Sequence, residues 1–120
     1  MEPEWQYDTT HANARRFKKY AGNHQREHDS VFANLDKVIE LLKAGKKIGS
    51  FQIGFFRSEG DGVYRIGQTG VPGAKETRLY IYFDEQNRTC FILGIGDKDS
   101  QQDDINEAKQ AVKQIKIQPS

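Results

Sequence analysis

The sequence predicts an α+β fold in which two N-terminal helices form a hairpin on a twisted antiparallel sheet of about three to five strands, followed by a C-terminal helix. Three observations support this prediction. An apolar stripe at helical spacing runs through residues 25–44, strict alternation runs through residues 77–83, and a second helical stripe lies within residues 105–115. A chain of 120 residues is long enough for one core, so we assign residues 1–120 to a single domain.

The longer N-terminal helix is the clearest element of the chain. We expect it over residues 25–44, where six apolar side chains share one helical face. These are Val31, Phe32, Leu35, Val38, Ile39 and Leu42. A shorter helix is predicted over residues 11–20, with Thr9 or Thr10 as its N-cap and Gly22 as a residue suited to a left-handed C-terminal cap.

Two strands form the predicted centre of the sheet. Residues 77–83 alternate between aliphatic or aromatic side chains on one side and Arg78, Tyr80 and Tyr82 on the other. Residues 89–95 are apolar on both sides, which is typical of a central strand. The polar stretch between them predicts a turn, so the two strands should pair as an antiparallel hairpin.

The remaining strands are less regular. Residues 63–68 predict a strand that leads into the central hairpin, and residues 4–10 predict an edge strand. Alternating phenylalanines make a short strand plausible within residues 46–57. Glycine-rich composition predicts a turn at residues 58–62 and a flexible loop at residues 69–75.

The C-terminal helix carries an apolar stripe and a polar start. Ser100 is the predicted N-cap and Asp103 stands at the third helical position, where a carboxylate favours a helix N-terminus. The stripe consists of Ile105, Ala108, Val112 and Ile115. Across the whole chain, the side chains predicted to form the core are Leu35, Ile39, Leu42, Leu79, Ile81, Phe83, Phe91, Leu93, Ile105 and Val112.

Composition excludes several classes of protein. No apolar run approaches the roughly 20 residues of a membrane span, and the acidic start of the chain does not match a signal peptide, so we expect a cytoplasmic protein that does not contact membranes. Cys90 is the single cysteine, which excludes an intramolecular disulfide and a cysteine-based zinc site. Its apolar neighbours predict a small core residue.

Other candidate sites remain weak. The basic stretch at residues 15–19 contains Phe17, a combination found in nucleic-acid binders but also in solvated helix faces. His24 and His28 are one helical turn apart, yet no third metal ligand is evident. Neither a phosphate-binding loop nor a dinucleotide motif occurs, so we expect no cofactor and no metal.

The region from about residue 60 to 115 resembles the RelE/HigB-type toxins of bacterial type II toxin–antitoxin systems. The resemblance is carried by Gly96-Asp97-Lys98, Gln101 and Asp104-Ile105, with further similarity at residues 62–66 and at Arg78-Leu79. It implies a RelE/ParE-like fold and a killer protein of an addiction module. It also implies an activity: metal-independent, ribosome-dependent cleavage of mRNA, inhibited by a cognate antitoxin.

The resemblance also implies where such an activity would lie. Toxins of this type stabilise the cleaved phosphate with cationic side chains while the 2′-hydroxyl of the RNA attacks, and an aromatic side chain can support a base. The candidate catalytic residues are Arg65, Arg78, Tyr80 and Lys98; the candidate RNA-binding residues are Lys75, which ends the loop before Arg78, and Tyr82, which shares the strand face of Arg78.

Three departures leave other interpretations open. A family arginine falls on Gly67 here, no histidine follows His28, and the net charge is only +1. The missing arginine, the low net charge and the acidic link after the last strand favour the other two interpretations. The first of these is a non-catalytic binding module of the same fold, whose partner would be an antitoxin-like peptide or a gyrase-type target. An orphan domain without toxic activity is the third alternative.

Overall fold

The computed structural model describes residues 4–117, which form three α-helices and five β-strands. The helices are α1 (Ala14–Asn23), α2 (Gln25–Lys43) and α3 (Gln101–Ile117). The strands are β1 (Gln6–Asp8), β2 (Phe56–Gly60), β3 (Val63–Gly67), β4 (Thr77–Asp84) and β5 (Thr89–Asp97). The α+β class and the C-terminal helix are therefore confirmed. Within residues 4–117, no helix is long and apolar enough to cross a membrane.

The strands form one mixed sheet in the order β1-β5-β4-β3-β2. The pairs β5–β4, β4–β3 and β3–β2 are antiparallel as predicted, but β1 runs parallel to β5. The prediction of a wholly antiparallel sheet is wrong at this edge. Two strands joined by a tight turn must be antiparallel. β1 has no such turn to its partner, because Gln6 pairs with the distant Thr89. No local sequence signal therefore indicates the direction of β1.

α1 and α2 pack on one face of the sheet. Val31, Leu35 and Val38 of α2 are fully or almost fully buried in one cluster with Leu79 and Ile81 of β4. Cys90 is also buried there, as predicted, and burial raises the pKa of its thiol to about 12. The stripe of α2 and the alternation of β4 thus face each other across the main core.

α3 packs on the opposite face of the sheet. Tyr80 and Val63 are fully buried against Ile105, Ala108 and Val112 of this helix. The aromatic face of β4 is therefore a second core layer rather than a free surface. This layer forms because the apolar stripe of α3 needs an apolar partner, and the alternate residues of β4 and β5 provide it.

A bulge in β5 changes which of its residues share a face. Tyr80 pairs with Gly94 but Ile81 pairs with Ile92, so one extra residue interrupts the alternation. Ile95 consequently joins Ile92 in the main core instead of Leu93 in the second layer. Without the bulge, strict alternation would place Ile95 on the same face as Leu93. Central placement of the strand is confirmed, since it has side chains in both layers.

Nine of the ten predicted core residues are buried. Phe91 is the exception: it is half-buried, with its ring 5.9 Å from Tyr82 and 6.2 Å from His11. It lies at the margin of the second layer, where three rings cover one another only in part. Sequence alternation identifies the correct face here but not how far α3 extends over it.

α1 begins three residues later than predicted and ends at Asn23 rather than near residue 20. Its N-cap is Asn13, whose side chain accepts a hydrogen bond of 3.1 Å from the backbone nitrogen of Arg16. Thr10 instead donates its backbone N–H to Asp8, at 2.8 Å, in a turn that follows β1. Local side-chain bonds therefore delay the helix, as Asx turns often do.

Residues 46–62 differ most from the prediction. A short 3-10 helix, Ile48–Ser50, replaces part of the suggested strand, and β2 extends into the predicted turn. The turn shrinks to its tip, where Gly60, Asp61 and Gly62 all have positive φ. Because two of these three positions are glycine, the chain reverses with little strain and β2 pairs with β3.

Truncating Leu35 to Ala is expected to lower the free energy of unfolding by about 2–5 kcal/mol, because it removes a buried side chain and leaves a cavity. Phe91→Ala should have a smaller effect, since that ring is half-buried. Urea unfolding followed by circular dichroism measures both changes. Lys37→Ala, on the exposed face of α2, is the control; a Leu35→Ala loss no larger than that of the control would contradict the assigned core.

Candidate anion-binding site

Three arginines from neighbouring strands lie on the α3 side of the sheet. Arg57 of β2 pairs with Arg65 of β3, and Arg65 pairs with Tyr80 of β4, two residues beyond Arg78. Paired residues and residues two apart share a face. The three arginines line one open cleft of about 310 Å³, which we call the arginine cleft. Its other lining residues are Gly54, Phe55, Gly67, Gln68, Glu76 and Thr77.

Glycines make room for this cleft. The strand neighbours of Arg78 are Gly67 on β3 and Gly96 on β5, so no side chain flanks it on either side. A Cβ atom on Gly67 would have its nearest neighbour, the Phe55 carbonyl oxygen, 3.9 Å away. Gly67, the position at which the resemblance predicts an arginine, is thus an open part of the cleft.

Arg65 is held in place from two sides. Its Nε lies 3.4 Å from Oε1 of Glu59, and its Nη1 donates a hydrogen bond of 3.3 Å to Oε1 of Gln101. The side chain is only 16% exposed. Gln101 is the first residue of α3, so the start of this helix helps to hold Arg65 in the cleft. Arg65 is preorganised but already partly neutralised.

Arg78 is less satisfied. Its Nη2 lies 3.5 Å from Oε2 of Glu76, while its Nη1 is buried and has no hydrogen-bond partner within residues 4–117. The Glu76 side chain is 65% exposed, so its carboxylate remains largely hydrated and the pair contributes little. An unpaired buried donor is unfavourable by roughly 1–3 kcal/mol, and an oxyanion in the cleft would satisfy it.

Tyr80 is in register with Arg65 but is fully buried beneath α3. Its hydroxyl is buried with no hydrogen-bond partner among the described residues, and burial raises its pKa to about 12. The ring therefore does not offer a surface on which a base could stack. The hydroxyl stays protonated at neutral pH and cannot act there as a general base.

The other three predicted site residues lie elsewhere. Lys98 is exposed in the turn between β5 and α3, and Lys75 forms an ion pair of 2.9 Å with Asp97. Tyr82 contacts Phe91, with Nζ of Lys116 5.9 Å from its ring centre. It stands four residues beyond Arg78, or about 13 Å along the strand. Of the six predicted residues, only Arg65 and Arg78 line the arginine cleft.

Arg57 completes the cleft and was not among the predicted residues. It precedes a stretch that composition assigns to a turn, so its strand register was not apparent. One signal could have identified it: the Gly-Asp-Gly sequence at residues 60–62 favours a tight hairpin turn. A hairpin closed there places Arg57 opposite Arg65.

The Gly96–Ile105 motif forms a buried polar cluster between α1, β5 and α3. Asp104 is 4% exposed, and its carboxylate accepts a hydrogen bond of 2.6 Å from the Ser100 hydroxyl. Nη1 of Arg16 lies 2.9 Å from the same carboxylate. Asp103 stands in the first turn of α3 as predicted, but it is exposed, and the Ser100 hydroxyl bonds instead to Asp104, one residue later. Gly96 leaves the space that this cluster fills, because a Cβ atom at that position would collide with Asp104, Ser100 and Arg16.

Comparisons with protein-family models, with curated proteins and with solved structures find no match to this chain. Function must therefore be argued from the site itself. Within residues 4–117, no three His, Cys, Asp or Glu side chains converge in a way that could hold a metal ion. The most distinctive chemical feature of the site is thus its cluster of guanidinium groups.

The Lys75–Asp97 ion pair predicts a pH-dependent contribution to stability. The hydrogen bond from Lys75 lowers the pKa of Asp97, helped by backbone N–H groups of Ser100 and Asp99. Because the pKa of Asp97 is lower in the folded than in the unfolded protein, the ion pair stabilises the fold at pH values above the unfolded-state pKa of about 4. This stabilisation is lost as the pH falls through the folded-state pKa.

Asp97→Asn keeps an acceptor for the backbone bonds but removes the charge. We therefore expect urea unfolding between pH 7 and pH 2 to show a smaller loss of stability in this variant than in the wild type. An equal loss of unfolding free energy between pH 7 and pH 2 in the two proteins would contradict the assigned role of the ion pair.

Proposed function

We propose that this protein is the toxin of a type II toxin–antitoxin pair, with a RelE/ParE-like fold, and that it cleaves mRNA on the ribosome. The resemblance in the Gly96–Ile105 motif supports this proposal, as does the order of two helices, an antiparallel hairpin region and a final helix. Such an activity places the protein in the cytoplasm, where a small antitoxin would neutralise it by covering the cleft.

The observation that carries the proposal is the arginine cleft. Guanidinium groups bind phosphate through paired N–H donors and stay charged at every physiological pH. Here three of them meet in one open cleft, and one buried nitrogen of Arg78 lacks a partner within the described residues. A phosphate of an RNA chain supplies the missing acceptor and the negative charge together.

In the proposed reaction, the 2′-hydroxyl oxygen of the RNA attacks the adjacent phosphorus atom, and the bond from phosphorus to the 5′-oxygen breaks. The products are a 2′,3′-cyclic phosphate and a free 5′-hydroxyl, so a proton moves from the first oxygen to the second. Arg78 stabilises the negative charge that develops on the phosphoryl oxygens. Arg57 and Arg65 hold the flanking backbone.

A second candidate function is a non-catalytic binding protein of the same fold. It is favoured by the lack of a histidine among the cleft-lining residues and by the neighbouring Tyr80, which is buried with a pKa of about 12 and cannot act as a base at neutral pH. In this case the same arginines bind an acidic segment of a protein partner, and no bond is broken.

Expression of the wild-type protein in a bacterial host, with mapping of ribosome-bound mRNA ends, separates the two. The proposed function requires growth arrest together with new 5′-hydroxyl ends within translated messages. Absence of such ends in cells that contain the folded protein would overturn the proposed function and assign the cleft to the second candidate.

A further inference from the structure

A second cationic cleft lies along α1, outside the arginine cleft. Its volume is about 500 Å³, and we call it the α1 cleft. It is lined by Asn13, Arg15, Arg16, Lys19, Tyr20, Asn23, His24, Lys75 and Asp97. The residues from α1 follow helical spacing, so one face of this helix forms its wall. Residues 13–24 extend for about 15 Å, enough for more than one phosphate.

The charges of the α1 cleft are unbalanced. Arg16 pairs with Asp104, and Lys75 pairs with Asp97. Arg15 and Lys19 have neither an ion pair nor a side-chain hydrogen bond within residues 4–117, which leaves two cations without partners. They are one helical turn apart, and like charges at this spacing destabilise a helix. A bound anion would relieve that repulsion.

The two clefts share a wall. The hydroxyl of Tyr20, which lines the α1 cleft, lies 2.6 Å from the hydroxyl of Thr77, which lines the arginine cleft. Thr77 also donates a hydrogen bond of 3.2 Å to the carbonyl oxygen of Lys75. The two clefts therefore adjoin at the start of β4, on either side of the buried Thr77.

An aromatic pair distinguishes RNA from an acidic peptide as the occupant. The rings of Tyr20 and His24 lie 5.0 Å apart, centre to centre, within the lining of the α1 cleft. Cationic grooves that contain aromatic side chains are typical of proteins that bind single-stranded nucleic acid, because bases stack on the rings while the cations follow the backbone. An acidic peptide makes no such use of the rings.

We propose that the α1 cleft is a second subsite that binds the backbone of the same single-stranded RNA as the arginine cleft. This inference rests on the proposed function. It assigns to Arg15 and Lys19 a role in phosphate binding, distant from the bond that is broken, and to Tyr20 and His24 a stacking role. A substrate that reaches both clefts should bind more tightly than one confined to the arginine cleft.

The test measures binding of the full chain to a fluorescent, non-cleavable 2′-O-methyl RNA of about twelve nucleotides, by anisotropy over a range of salt concentrations. Arg15→Gln/Lys19→Gln is compared with Lys18→Gln/Arg26→Gln, which removes two exposed cations that line neither cleft. Loss of two phosphate contacts should reduce the slope of log affinity against log salt by about 1.4, and weaken binding on the order of tenfold at 0.1 M salt. The control pair should match the wild type.

Two further arms separate the possible failures. Arg78→Gln reports on the arginine cleft: if it weakens RNA binding while Arg15→Gln/Lys19→Gln does not, the second subsite is wrong and the proposed function survives. If the wild type binds no RNA, the second subsite is wrong, and the mapping of mRNA ends in expressing cells still decides the proposed function separately. A fluorescent polyglutamate peptide is the last arm, and its binding through Arg15 and Lys19 in the absence of RNA binding would assign the α1 cleft to an acidic protein partner and overturn the inference.

Discussion

Replacing Arg78 with Ala is expected to abolish growth arrest on expression and to lower ribosome-dependent mRNA cleavage on the order of 10²–10³-fold, the usual effect of removing one transition-state hydrogen-bond donor. The side chain is only 15% exposed, and its free Nη1 faces no partner within residues 4–117. No other cleft arginine combines burial with an unsatisfied donor. Primer extension on messages from expressing cells measures the change.

Controls distinguish a catalytic effect from misfolding. Arg78→Ala must remain folded by circular dichroism, and Arg26→Ala, an exposed position on α2, should behave as the wild type. Arg65→Ala should show a milder defect that grows with salt, since contacts to phosphate are screened. It should also lose some stability, because Arg65 links Glu59 to Gln101. Undiminished toxicity of Arg78→Ala would remove this residue from the site.

Gly96→Ala is expected to lower the free energy of unfolding by about 1–3 kcal/mol, the usual range for adding a methyl group to a well-packed site. The added methyl group would collide with the Asp104 carboxylate, the Ser100 hydroxyl and the Arg16 guanidinium at once. The strand has no room to move because Gly96 pairs with Arg78 on β4. Urea unfolding measures the loss.

A matched control lies two residues earlier on the same strand. A Cβ on Gly94 would meet only the Tyr80 ring, at 3.9 Å, which is an ordinary contact. Gly94→Ala should therefore cost far less than Gly96→Ala. Equal losses would mean that the strand tolerates no side chain at either position, and that the polar cluster around Asp104 is not the cause.

The near-neutral composition has a structural counterpart in the cleft. Glu59 and Glu76 each approach one of the cleft arginines, so the local charge is lower than three guanidinium groups suggest. Whole-chain charge could not indicate this, because it averages the cleft with many exposed pairs. The group available to bind an anion is Nη1 of Arg78, which has no hydrogen-bond partner within the described residues.

Local patterns predicted most of the secondary structure. α2 was expected over residues 25–44 and spans Gln25–Lys43, and β4 differs from its predicted bounds by one residue. The parallel edge strand and the bulge in β5 were not predicted, because each depends on pairing with a distant or displaced partner. Of the candidate site, Arg65 and Arg78 could be placed together from alternation and family resemblance, whereas Arg57 required the register of β2.

By itself, the sequence determined the α+β class, the helical hairpin, the two apolar stripes and the central position of β5, because hydrophobic periodicity is a local property of the chain. Only the tertiary structure decided that α3 buries Tyr80, that Asp104 rather than Asp103 is the acid that contacts Ser100, and that Lys75 faces α1. These outcomes depend on contacts across large sequence separations, such as the 88 positions between Arg16 and Asp104. Docking of one helix determines which side chains remain in water, and no local pattern contains that information.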